Sequence, residues 1–105
     1  MASIRLTSTT LDVIKVLLAS TPDNPAWGLR ICQEAGLGSG TVYPILERLL
    51  KAGWITSRRE DGEHPGRPAR TYYDLTGAGR INANSALEAR AARYPGFLGI
   101  APQGG

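Results

Sequence analysis

Hydrophobic positions recur with helical spacing over several stretches of the chain and alternate with polar ones over two others. Leu11, Ile14, Leu17 and Leu18 fall on one face of a helix predicted from about Thr9 to Ala19, with Thr9 or Thr10 as its cap. Val13 and Val16 widen that apolar arc, which predicts cover on more than one side. Asn24-Pro25 reads as a cap followed by proline at the first helical position, so a second helix is expected over Pro25 to Ala35. Gly36 supplies its stop. Val42, Ile45, Leu46, Leu49 and Leu50 make the sharpest amphipathic pattern, in a third helix that starts between Ser39 and Thr41 and ends at Gly53. Pro44 falls in or just after its first turn, where a missing N–H costs little.

Two alternating runs follow, Trp54 to Glu60 and Arg70 to Leu75. Between them lies a stretch of turn formers over 61–69, so a hairpin with a protruding, mobile tip is expected. Thr76 then caps a last helix over Gly77 to Tyr94, stopped by Pro95-Gly96. Its apolar side is thin and built from small residues. The chain therefore divides into residues 1–76, a helix over 77–94 and a flexible tail over 95–105.

Composition narrows the chemistry. The chain has 105 residues, room for one small domain. One Cys cannot form an intrachain disulfide, and one Cys with one His cannot build a structural zinc site. Cys32 and His64 are far apart in sequence and make no catalytic pair. Glu60, Asp61, Glu63 and His64 bunch at a turn too loose for a metal cage. The glycine-rich run from Gly36 to Thr41 matches neither the dinucleotide fingerprint nor the phosphate loop with its Lys. No enzyme activity, metal or cofactor is expected. Asp12 and Lys15 interrupt the first apolar run, so it reads as neither a signal peptide nor a membrane span, and a cytoplasmic protein is expected.

Twelve Lys and Arg against nine Asp and Glu leave a net charge of +3. Residues 1–54 carry five cations and four acids, and residues 55–80 carry the same numbers. Charge is thus not segregated along the chain, and only a fold could gather it.

The order helix, helix, tight turn, amphipathic helix, hairpin, helix is that of a winged helix-turn-helix, mainly α with a small β-hairpin. In DNA-binding versions the third helix enters the major groove N-terminus first, with the hairpin tip beside it. The exposed start of that helix is Ser39, Gly40, Thr41, Tyr43 and Pro44, whose N–H groups and hydroxyls suit phosphate. Tyr43 could reach DNA or pack half-buried on the second helix. Arg58, Arg59, Arg67 and Arg70 could clamp a backbone or minor groove, or simply pair with Glu60, Asp61 and Glu63.

The segment from Leu37 to Leu49, with its Gly40-Thr41-Val42-Tyr43-Pro44 block, resembles the recognition-helix signature of PadR-type transcriptional regulators. So do Gly53-Trp54-Ile55, Gly66-Arg67-Pro68, and the run from Tyr72 to Arg80. The resemblance covers about residues 9 to 80 and implies a dimeric repressor of a bacterial cytoplasm. It implies a roughly palindromic operator, with helix 39–52 in the major groove and wing 61–69 alongside. DNA contacts are then expected at Ser39, Gly40, Thr41, Tyr43, Pro44, Arg67 and Arg70. One helix after Thr76 places the chain with the short members, in which the first and last helices pair across a two-fold. On that pattern Leu11, Ile14, Ile81, Leu87 and Tyr94 face a second copy. The last helix lacks the Trp on which some short members stack planar drugs, so no drug site is carried over and a small-molecule effector stays open. The rival reading is a winged helix that binds protein rather than DNA.

Overall fold

Seven elements follow one another in the computed structural model, which describes residues 6–62 and 64–93. They are α1 (Ser8–Ala19), β1 (Ala26–Trp27), α2 (Gly28–Ala35), α3 (Ser39–Lys51), β2 (Ile55–Arg59), β3 (Thr71–Leu75) and α4 (Gly77–Arg93). Tyr94 and the tail over 95–105 lie outside the described residues.

Helix α1 is central and packs against α2, α3, α4 and β3. It buries Leu11, Val13, Ile14, Val16 and Leu17, as its widened apolar arc predicts. Its cap is Thr7, not Thr9 or Thr10. The Thr7 hydroxyl accepts the Thr10 N–H at 3.2 Å, and Thr10 itself is buried. Burial of Thr10 draws the first turn inward and leaves capping to the residue before the helix.

The second helix starts later than Asn24-Pro25 suggests. Ala26 and Trp27 are extended and pair antiparallel with Tyr73 and Tyr72, which makes a three-stranded sheet in the order β1-β3-β2. A ladder with Ala26 fully buried outweighs a local cap signal that buries nothing. Arg30 holds the turn before it, donating to the carbonyls of Asn24 and Pro25 (2.8 Å to the latter) and pairing with Glu34 at 2.6 Å. Gly36 ends α2 in the left-handed region, at φ 69°.

Helix α3 buries Val42, Ile45, Leu46 and Leu49. Its cap is Gly38 rather than Ser39 or Thr41: the Gly38 carbonyl accepts from both Thr41 and Val42 N–H at 3.0 Å. Ser39, Gly40 and Thr41 are thereby left exposed within the first turn. Pro44 is the sixth helical residue, so Gly40's carbonyl loses its usual donor on the solvent side.

Strands β2 and β3 pair from Ile55↔Leu75 to Arg59↔Thr71, and Glu60 N–H extends the ladder to the Arg70 carbonyl at 2.8 Å. Thr76 ties two corners together. Its hydroxyl accepts the Gly79 N–H at 2.9 Å, capping α4, and donates to the Gly53 carbonyl at 2.8 Å. Its N–H meets the Trp54 carbonyl at 2.9 Å. Helix α4 then presses small residues inward: Gly79, Ala83 and Ala86 are buried. A side chain at Gly79 would collide with the Trp54 carbonyl.

Candidate nucleic-acid interface

The nose of α3 is an uncharged, hydroxyl-bearing surface. Ser39, Gly40, Thr41 and Pro44 are exposed, and the Ser39 and Gly40 N–H groups have no acceptor among the described residues. Two free N–H groups at the positive end of a 13-residue helix form an anion seat. Glu47, Arg48 and Lys51 follow on the outer face, with Lys51 3.9 Å from Glu47.

Tyr43 combines the two placements the sequence left open. It is 45% exposed, yet its ring end lies over the bare Cα of Gly28 at the start of α2. A Cβ on Gly28 would sit 2.8 Å from the ring carbon that bears the hydroxyl. The ring thus borders a cleft of about 220 Å³ between α3 and the wing, lined by Trp27, Leu29, Tyr43, Pro68, Arg70 and Tyr73, among others. Burial pushes the Tyr73 phenol up from its ordinary value, and the nearby Tyr43 adds to that.

The wing is organised around Glu60, whose side chain is 17% exposed. Arg67 grips both carboxylate oxygens, at 2.8 and 3.1 Å. Arg70 N–H donates to Oε1 at 3.1 Å and the Tyr72 hydroxyl to Oε2 at 3.2 Å. The Arg67 fork, aided by the Arg70 amide and the Tyr72 hydroxyl, holds the Glu60 carboxyl at a pKa of about 2 despite the opposing effect of burial. The same pairing raises Arg67. His64 Nε2 lies 3.4 Å from Oε1 but makes no hydrogen bond. Arg67 therefore folds back on the wing instead of extending from its tip.

The sign of the pH effect follows. A depressed carboxyl stabilises above its unfolded pKa and loses that contribution as pH falls through the folded value. The Glu60–Arg67 pair is expected to hold unchanged down to about pH 4.5 and to open as pH falls toward 2. An NMR titration of the Glu60 side-chain carboxyl carbon checks this; a midpoint near 4.5 would show that the pair does not form.

The other wing arginines differ in their ties. Arg58 lies 3.5 Å from Asp74 and stacks over Tyr72 at 4.8 Å. Arg70 stacks on the Trp27 ring at 4.0 Å, with its Nε buried and unpaired. Arg59 is exposed and has no ion pair or side-chain hydrogen bond among the described residues. The sequence reading placed it in the arginine cluster but did not single it out. Its strand parity with the buried Ile55 was the available signal.

The residues expected at a dimer face are unevenly placed. Ile14 is fully buried in the core of its own chain, and Leu11 is 7% exposed. Leu11 borders a groove of about 310 Å³ between α1 and α4, with Leu6, Ala86 and Arg93 along it. Ile81 is 70% exposed, Leu87 is half-buried against the core, and Tyr94 lies outside the described residues. Among the described residues no group of three His, Cys, Asp or Glu could hold a metal, and no helix is long and apolar enough to cross a membrane.

Comparison with known proteins agrees with this geometry. The model of the Transcriptional regulator PadR-like family matches residues 17–85. No curated protein matches the sequence. Among solved structures, smu.1704 from Streptococcus mutans UA159 is 23% identical, covers 95% of this chain and 97% of its own, and superimposes with a TM-score of 0.65. A PadR family transcription regulator from Clostridium difficile R20291 is also 23% identical, over 89% of this chain and 100% of its own, with a TM-score of 0.66. The transcriptional repressor CouR, solved bound to a 23-mer DNA duplex, is 20% identical, with a TM-score of 0.71. The match covers 91% of this chain but 63% of CouR. At these identities the likeness concerns the fold, which is that of winged-helix regulators: four helices and a small three-stranded antiparallel sheet.

Proposed function

The chain belongs to the Transcriptional regulator PadR-like family, and from that premise we propose that it is a non-catalytic, DNA-binding repressor acting as a homodimer in the cytoplasm. The observation that carries this reading is the nose of α3. Two free N–H groups and the Ser39 and Thr41 hydroxyls stand exposed and uncharged beside a built wing. Ser39 and Gly40 N–H seat a phosphate, while Thr41, Tyr43 and Pro44 meet base edges in the major groove. The wing, shaped by Arg67 and Arg70, lies along the backbone or minor groove. A second copy packs on α1 and α4, where Leu11 borders the groove between them and Ile81 of α4 is exposed, and Leu87 and Tyr94 join the same contact, Tyr94 from outside the described residues. Ile14, fully buried in the core of its own chain, takes no part in that contact. Two copies related by a two-fold call for a roughly palindromic operator.

Selection of bound fragments from genomic DNA tests the reading, starting with the region upstream of the protein's own gene. Enriched fragments should share an inverted repeat, and affinity should fall steeply as salt rises. Light scattering should give twice 11.2 kDa. A monomer at micromolar concentration would remove the dimer. Absence of any salt-sensitive DNA binding would leave the fold to a protein partner instead.

A further inference from the structure

The wing's four arginines are not equivalent, and the difference singles out one that the family signature does not mark. Arg67 has both arms of its fork on Glu60, Arg58 is held by Asp74 and Tyr72, and the Arg70 guanidinium lies flat on Trp27. For Arg67 to turn to a phosphate, it would have to leave a largely buried carboxylate facing another anion. Arg59 carries no such tie among the described residues.

Register then decides where these side chains lie. Paired residues of antiparallel strands share a face, and alternate residues share it along each strand. Arg58 pairs with Tyr72, which pairs in turn with Trp27, so Arg58, Glu60, Tyr72 and Trp27 occupy one face. Arg59 pairs with Thr71 and Ser57 with Tyr73, so Arg59 stands on the other face with Tyr73. Ile55 and Tyr73 on this face are buried in the core to which α3 contributes Val42, Ile45, Leu46 and Leu49, which makes it the face turned to α3 and the other helices. An exposed, untied cation thus sits at the base of the wing on the recognition-helix side.

Resting on the DNA-binding reading above, we propose that Arg59 is the wing's phosphate-contacting cation. Arg67 acts only through Glu60, as a positioning residue that shapes the wing. The arrangement leaves a positive charge free at one place while three neighbours hold the strands and tip in register with it.

The test measures affinity for a mixed-sequence DNA duplex against salt concentration, so no operator need be known. The unaltered protein should show a linear fall of log affinity with log salt. Arg59→Ala should weaken binding at low salt and flatten that slope by about 0.9 for each subunit bound, and Arg59→Lys should restore the slope. The charge-neutral pair Glu60→Gln with Arg67→Gln should leave the slope as it was, whatever it does to affinity. An unchanged slope for Arg59→Ala overturns the proposal, as does a loss of slope in the paired variant equal to that of Arg59→Ala. If the unaltered protein binds no duplex at low salt, the DNA-binding reading itself falls and the inference with it. Circular dichroism and melting of Arg59→Ala should match the unaltered protein, since the side chain is exposed and untied.

Discussion

Gly79→Ala is expected to lower the stability of the chain by about 3 kcal/mol, near the upper end of what overpacking costs. The added Cβ would lie 2.6 Å from the Trp54 carbonyl carbon and 2.8 Å from its Cα, and closer still to the oxygen. These are backbone atoms and have little freedom to move. Trp54 N–H is bonded to the Leu49 carbonyl at 3.0 Å, and its carbonyl accepts from Thr76 N–H at 2.9 Å. Shifting α4 outward instead would break the Thr76 cap and lift Ala83 and Ala86 off the core. In a domain of this size the loss corresponds to a fall in Tm of roughly 10–20 °C. Gly77→Ala is the control, because a Cβ there meets nothing within 4 Å. It should stay within about 0.5 kcal/mol of the unaltered protein. Equal melting temperatures for the two variants would mean that α4 does not sit against Trp54 as described.

Tyr43→Ala should lower affinity for the selected DNA fragments by about 10- to 100-fold, the usual scale for one base-reading side chain. The same change should weaken binding to mixed-sequence DNA much less, so the ratio of the two affinities narrows. Fold stability should change little, since Tyr43 is 45% exposed and rests on a glycine rather than in the core. Gel-shift titrations on both kinds of duplex, with a thermal melt of the variant, separate these effects. If the variant keeps the full affinity ratio, the nose of α3 does not read bases through Tyr43.

The elements legible from sequence are those whose cause is local. Helix α3 announces itself because Val42, Ile45, Leu46 and Leu49 repeat at helical spacing beneath a polar outer face. Gly53 and Gly36 stop helices because their φ values of 78° and 69° suit glycine. Thr76 caps α4 with its own hydroxyl. What stayed hidden depends on distant partners. Strand β1 is two residues long and exists only because Tyr72 and Tyr73 pair with it, so Asn24-Pro25 read locally as a helix start. The partner of Arg67 could have been Glu60, Asp61 or Glu63. Glu60 is chosen because it sits at the last rung of the ladder, bonded across to Arg70. Ile14 shows the same limit in the core: periodicity marks it apolar but cannot say whether its own chain or a second copy covers it.

The bare Cα of Gly28 beneath Tyr43 sets an order on the substitutions open to descendants of this chain. A side chain cannot arise at position 28 while the tyrosine ring keeps its place. Position 43, by contrast, can shrink first without steric penalty. Mutational paths through this pair therefore run one way: the ring is lost before anything is gained beneath it. The two positions, fifteen residues apart and on different helices, are coupled through that one contact, with the larger residue constraining the smaller.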